Sequence, residues 1–204
     1  MPADVTEFAA MRDVPYYEAV GMLNWAALAT CPDISFAMSM VAHFSLNPGP
    51  AHWEAVKQIF RYLSSTRDLW LTYGEKSQGL IGYTNVNGSM GKDRKAILGI
   101  AFLIDGGAVS WSSKKQKIVS LSTTESKYVA VMHGVQEVLW LRSIITEVFQ
   151  PYNKPVDLFC NNQSAIALTW DHQYHSRMKH INVRYHFIQW VVKEGRVCLI
   201  YCPT

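Results

Sequence analysis

The sequence predicts an α/β layer architecture in the order β-β-β-α-β-α-α-β, preceded by a segment that is helical throughout. Two patterns carry this. Apolar residues recur at helical spacing up to residue 65 and again from about 123 to 149, whereas between Leu69 and Ser122 they recur every second residue in short runs bounded by glycines. Composition agrees: 204 residues, 49% hydrophobic and 17% charged, describe a globular chain and exclude disorder, collagen and coiled coil. A chain of this length buries roughly 70% of its unfolded surface and needs no disulfide or metal to hold a core.

Each element has its local reason. Pro15 suits a first helical position before YYEAVGMLNWAALA; Thr30 can cap a second helix from Pro32 to Leu46; NPGP at 47–50 breaks the chain before a third. In that third helix Trp53, Val56, Phe60 and Leu63 form one apolar stripe. LWLTY, GLIGYT, LGIAFLI, GAVSW and KIVSLS then read as strands. Ser122 and Glu125 form an S-x-x-E capping box at the start of a long helix with Tyr128, Met132, Val135 and Leu139 on one face, and Pro151 ends it. A strand at Val156 to Cys160, a short helix over Gln163 to Thr169, a helix with Ile181, Tyr185, Ile188 and Val192 on one face, and a strand VCLIYC follow. Tryptophans such as Trp53, Trp140 and Trp190 fit helical stripes and are expected in the core.

Lys plus Arg number 19 and Asp plus Glu 16; the net charge of +3 is too small to demand a nucleic-acid or membrane partner. Cys31, Cys160, Cys198 and Cys202 form no C-x-x-C pair and follow no apolar leader, which predicts reduced core thiols in an intracellular protein, cytoplasmic or nuclear. No stretch approaches the roughly 18 apolar residues of a membrane span.

Three segments fall at strand ends or a helix start: YTNVNGS at 83–89, STTESKY at 122–128 and FCNNQSA at 159–165. Through these, and through AVGMLNWAALATCPDI, HWEAVKQIFRYL, GGAVSWSSKKQKIVSLSTTE, NNQSAIAL, HSRMKHINVRYHFI and YCPT, nearly the whole chain resembles the ribonuclease H domain of Ty1/copia retrotransposon polyproteins, the fungal members in particular. The resemblance implies a ribonuclease H-like mixed five-stranded sheet flanked by helices. Residues 1–65 would be a helical tether like the C-terminal end of the reverse transcriptase, 66–78 a connector, and 79–204 the ribonuclease H-like domain without its last helix. The remainder of a retroelement polyprotein is then an expected partner.

The chemistry implied is two-metal hydrolysis, in which clustered carboxylates hold two Mg²⁺ ions, one activating water and the other stabilising the leaving oxygen. The resemblance puts the family's first three acids at Asn85, Glu125 and Asn161, and the fourth beyond Thr204. One carboxylate cannot neutralise two Mg²⁺, so the expectation is a catalytically inactive domain with no cofactor, Mg²⁺ entering only if activity remains. Glu125 would be the one retained ligand of a non-functional metal site. On their own, Glu125 also reads as the capping-box acid, and Asn85 and Asn161 as polar residues at strand ends. Two other classes compete: an active Mg²⁺-dependent ribonuclease H cleaving the RNA strand of RNA–DNA hybrids, and a non-catalytic protein–protein interaction element.

The departures from the family pattern share a direction. Asn85, Asn87, Asn161 and Asn182 stand for Asp, Lys127 for Glu, Val86 for Ala, Met178 for Thr and Cys31 for Arg. Each exchange takes one G-to-A or C-to-T change in a codon, as decay by cytosine deamination would produce.

Two basic clusters suit phosphate contacts: Lys114, Lys115 and Lys117, and Arg177, Lys179 and His180. With the resemblance they point to an RNA–DNA hybrid as partner; alone, the lysines also read as a solvated strand edge. His172, His175, His180 and His186 with Cys198 and Cys202 match no zinc-finger spacing, and the two cysteines can both pack inward.

Overall fold

The computed structural model describes residues 11–74, 78–87, 95–116, 123–149, 151–170 and 182–203. The chain forms two compact units, Met1–Thr72 and Tyr73–Thr204.

The first unit contains α1 (Tyr16–Ala29), a 3₁₀ turn (Pro32–Ile34), α2 (Ser35–Ala42) and α3 (Pro50–Ser65). Its core gathers Tyr16, Val20, Leu23 and Ala27 of α1 with Ile34, Met38, Val41, Val56 and Ile59. Tyr16 is buried with its hydroxyl donating to the Val41 carbonyl at 2.8 Å, so the aromatic ring enters the core without stranding its polar tip. Two expectations are corrected here. Thr30 closes α1, its amide bonding the Ala26 carbonyl, and the second helix stops at Ala42 rather than Leu46. On α3 the inward residue is Ile59 rather than Phe60: Phe60 lies one residue, about 100°, off the stripe and is exposed.

The second unit follows the predicted order: β1 (Leu80–Asn87), β2 (Ile97–Ile104), β3 (Gly107–Lys115), α4 (Thr123–Val148), β4 (Val156–Cys160), α5 (Gln163–Trp170), α6 (Asn182–Lys193) and β5 (Val197–Tyr201). The five strands form one mixed sheet in the order β3-β2-β1-β4-β5. β1 to β3 are antiparallel, joined between β2 and β3 by Asp105-Gly106, both at positive φ as a two-residue primed turn requires. β4 runs parallel to β1 and β5 parallel to β4, each reached through helices.

Those helices share one side of the sheet. Val131, Val135 and Val138 of α4, Ala165 of α5 and Ile188 and Val191 of α6 join Leu80, Phe102, Val156, Leu158 and Leu199 in one core cluster. Burial along β1 alternates accordingly: Leu80, Gly82, Thr84 and Val86 face the helices, while Tyr83, Asn85 and Asn87 face away. Gly82 is glycine because a Cβ there would sit 2.3 Å from Cε1 of Phe102.

Several expectations change. Residues 69–73 form no strand; Leu69 and Trp70 are exposed, and Tyr73 lays its ring over Gly107 and donates to the Ala108 carbonyl at 2.8 Å. Alternation supplies β-propensity, but a strand needs a ladder partner. The predicted strand KIVSLS and Ser122 of the capping box lie outside the described residues. Trp140 and Trp190 are exposed, both off their helices' inward stripes, and Trp190 lies beneath the Arg196 guanidinium at 5.1 Å. All four cysteines are free thiols, but only Cys160 is core; Cys198 is exposed, and Cys31 and Cys202 are half-buried. Among the described residues no helix is long and apolar enough to cross a membrane.

Candidate functional site

The parallel pairing of β1 with β4 sets Thr84 opposite Cys160 as its last matched pair. Asn85, still within β1, and Asn161, just past the end of β4, are the next residue on each side, so the register directs these two positions to the same end of the sheet. Asn85 is held locally: its Oδ1 accepts the Val86 amide at 2.8 Å. The following residue on β4's side has a role that sequence reasoning missed. Asn162 caps α5, its Oδ1 accepting the Ala165 amide at 2.9 Å, which is why β4 turns directly into a helix. An Asn three residues before the amide it binds was the available signal.

Glu125 reaches the same end of the sheet by another route. A Cβ on Gly134 would lie 3.1 Å from Leu158 and 3.7 Å from Thr84, so α4 crosses β1 and β4 closely at that glycine. Four residues earlier Ala130 packs with Val86. Glu125 lies five residues further back, about 7.5 Å along the axis, toward the end that carries Asn85 and Asn161. Glu125 is 3% exposed. The first turn is tied down by Gln116, which donates from Nε2 to the Ser126 carbonyl at 2.8 Å and from its amide to Ala96. Asn85 belongs to the sheet face turned away from α4, whereas Glu125 belongs to the helix packed on the opposite face.

The electrostatics of this end are not those of an anionic pocket. Burial pushes the Cys160 thiol up; the Asn162 amide and the positive charge of Lys127 oppose that rise, which places Lys127 within electrostatic reach of the end of β4. Two neutral amides, one buried carboxylate and a resident ammonium do not fit two Mg²⁺ ions, which need carboxylate oxygens to offset four positive charges. Among the described residues no group of three or more His, Cys, Asp or Glu could hold a metal ion.

Of the basic candidates, Lys114 and Lys115 are consecutive on β3 and therefore point to opposite faces; they do not form one patch. Lys114 is exposed and Lys115 half-buried. Lys117, Arg177, Lys179 and His180 lie outside the described residues, as do His172 and His175 of the zinc reading. An open cleft of about 310 Å³ lined by Leu139, Arg142, Ser143, Thr146, Glu147 and Arg196 lies at the opposite end of the sheet. There Arg142 serves the fold, donating to the carbonyls of Tyr152 (2.7 Å), Arg196 (3.3 Å) and Lys154.

No protein-family model matches the chain. Among curated proteins it is 43% identical over 204 residues to the retrovirus-related Pol polyprotein from transposon TNT 1-94 of Nicotiana tabacum, covering all of this chain and 15% of that protein. It is 38% identical over 134 residues to the secreted RxLR effector protein 161 of Plasmopara viticola, 64% of this chain and 94% of that protein. With a putative Ty5-1 transposon protein of Saccharomyces cerevisiae it shares 33% identity over 132 residues, 63% of this chain and 43% of that protein. The chain thus spans about 15% of the tobacco polyprotein's length. Among solved structures, a foamy viral protease-reverse transcriptase in complex with double-stranded DNA matches 98% of this chain and 35% of its own at a TM-score of 0.52 and 11% identity, a likeness of fold. A compost-derived RNase H1 matches 61% of this chain and 84% of its own at 0.46 and 14% identity.

Proposed function

The chain belongs to the Ty1/copia-type transposon Pol family, and from that premise we propose that its ribonuclease H-like unit is a non-hydrolytic module whose remaining activity is to bind RNA–DNA hybrid. The observation that carries the loss of hydrolysis is the pair of amides at Asn85 and Asn161, next in register after Thr84 and Cys160. They stand where the family resemblance expects acids. Neutral amides hold neither the charge nor the geometry of two Mg²⁺, and Glu125 cannot compensate alone.

Hybrid binding needs none of the lost acids. It draws on one of Lys114 and Lys115, which face opposite sides of β3, with Lys117, Arg177, Lys179 and His180 as the further contacts suggested by the sequence. Such residues bind phosphates through counterion release, giving affinity without sequence reading. With about four phosphates neutralised, log K should fall by roughly three to four per tenfold rise in salt.

The test is one labelled hybrid in two assays. The proposal expects a salt-sensitive complex and no cleavage of the RNA strand with Mg²⁺ beyond a chelated control. Mg²⁺-dependent cleavage would restore the active-nuclease reading; absence of any complex at low salt would leave the unit without a nucleic-acid role.

A further inference from the structure

The cleft of about 310 Å³ at the end of the sheet away from Asn85 and Asn161 is lined by two arginines, Arg142 and Arg196, and by one acid, Glu147. Both cations are held by groups that leave their charge standing. Arg142 donates to the carbonyls of Tyr152, Lys154 and Arg196, and its guanidinium lies 5.3 Å from the centre of the Tyr152 ring. Arg196 rests on Trp190 at 5.1 Å, a contact that uses the flat face of the guanidinium and not its N–H edge. Carbonyls and aromatic faces orient a cation without neutralising it, and among the described residues neither arginine forms an ion pair with an acid. Glu147 instead accepts the Ser143 hydroxyl at 3.2 Å. The crowding of positive charge is felt at Arg142, whose pKa is lowered first by burial, with Tyr152 opposing and the Arg196 charge adding to the fall.

We propose that this cleft is a phosphate-binding site, taking inorganic phosphate or a phosphate monoester between the Arg142 and Arg196 guanidiniums. An anion there relieves the repulsion between the two cations and accepts charge-assisted hydrogen bonds from both. Donors remain for it. Arg142 gives three of a guanidinium's five N–H groups to carbonyls and keeps two. Thr146 accepts the Tyr152 amide at 3.4 Å, which leaves its own hydroxyl proton to donate. The charge balance chooses the class of ligand. A phosphate monoester near −2 is attracted by two arginines and repelled by one glutamate, whereas a cation meets the reverse. Phosphate also presents three oxygens to these three donor groups, where a carboxylate presents two. The volume lies at the small end of ligand pockets, which suits a phosphate with a modest substituent reaching out through the open mouth.

The experiment is calorimetric titration of the full 204-residue chain at constant ionic strength, beside Arg196→Gln and Glu147→Gln. The ligands are inorganic phosphate and a 5′-phosphorylated thymidine dinucleotide, with the unphosphorylated dinucleotide as control. Both altered side chains are exposed, and Arg142 uses only the main-chain carbonyl of Arg196, so neither change removes a buried contact; circular dichroism checks it. The expected result is saturable binding with a Kd on the order of 1 mM, weakened about tenfold in Arg196→Gln and tightened about threefold in Glu147→Gln. The opposite signs distinguish a site from a structural role, since a damaged fold would weaken binding in both. Either ligand meeting these shifts supports the proposal: tighter binding of the dinucleotide puts the phosphate on a strand end, and tighter binding of inorganic phosphate makes it a free ion. No saturable binding of either ligand up to about 50 mM overturns it, as does binding that either variant leaves unchanged. The outcome is independent of hybrid binding, which draws on residues outside this cleft.

Discussion

Asn85 of β1 and Asn161, just past the end of β4, each come one residue after Thr84 and Cys160, the last matched pair of two parallel strands. The pairing makes them act together when changed. Asn85→Asp alone keeps the hydrogen bond its oxygen accepts from the Val86 amide, and one added carboxylate finds no metal. The double variant Asn85→Asp, Asn161→Asp places two like charges side by side. Without Mg²⁺ it should melt a few degrees lower than the wild type; with Mg²⁺ at about ten times its Kd it should regain about 1.4 kcal/mol, because the ion binds only the native state. Weak Mg²⁺-dependent cleavage of hybrid should appear in the double variant and in neither single one, since ligands of one metal act as a unit. Calorimetry with and without Mg²⁺ checks the first part; a double variant indifferent to Mg²⁺ would mean that the two side chains do not share a site.

Replacing Lys114, Lys115 and Lys117 together by Ala should weaken hybrid binding equally for all sequences and reduce the salt slope by about one for each phosphate that is no longer neutralised. Because Lys114 and Lys115 point to opposite faces of β3, one of them should account for nearly all of the change contributed by the pair. Single-variant titrations at two salt concentrations read this directly, and an unchanged slope in the triple variant removes β3 from the interface.

Gly82→Ala should destabilise the second unit by about 1–3 kcal/mol, because the new methyl meets the wholly buried ring of Phe102, not the movable tip of a flexible chain. The mixed sheet depends on this close approach. Urea unfolding measures it; a destabilisation below about 1 kcal/mol would show that the ring can retreat.

Stability of the first unit should fall on mild acidification. His52 Nδ1 accepts the Gly49 amide at 2.9 Å at the start of α3, and its ring stacks on Phe44 at 3.8 Å. Burial lowers its pKa below the usual histidine value. The unfolded chain therefore takes up the proton first as pH falls. The contribution is complete above about pH 6.5 and is lost as pH drops through the lower folded value. Chemical unfolding followed by tryptophan fluorescence at about pH 7.5 and about pH 5 should show the loss, and His52→Gln should flatten it.

The sequence by itself determined the order of strands and helices, since each element is written in local terms: the period of apolar residues, glycines between the short β runs, the NPGP break at 47–50 before a helix, Pro151 just after a helix end. It also identified the three segments at strand ends and a helix start, because their residue types are local facts. What it did not decide was everything set by a partner. Residues 69–73 alternate like a strand but have no ladder to join, and Phe60, Trp140 and Trp190 belong to apolar helices but fall outside the angle that a neighbour covers. The register of β1 against β4 and the passage of α4 over Gly134 are what bring Asn85, Asn161 and Glu125 to one end of the sheet. That is tertiary packing, because positions 36 to 76 residues apart in sequence meet only when a parallel ladder and a helix–sheet contact fix them in space.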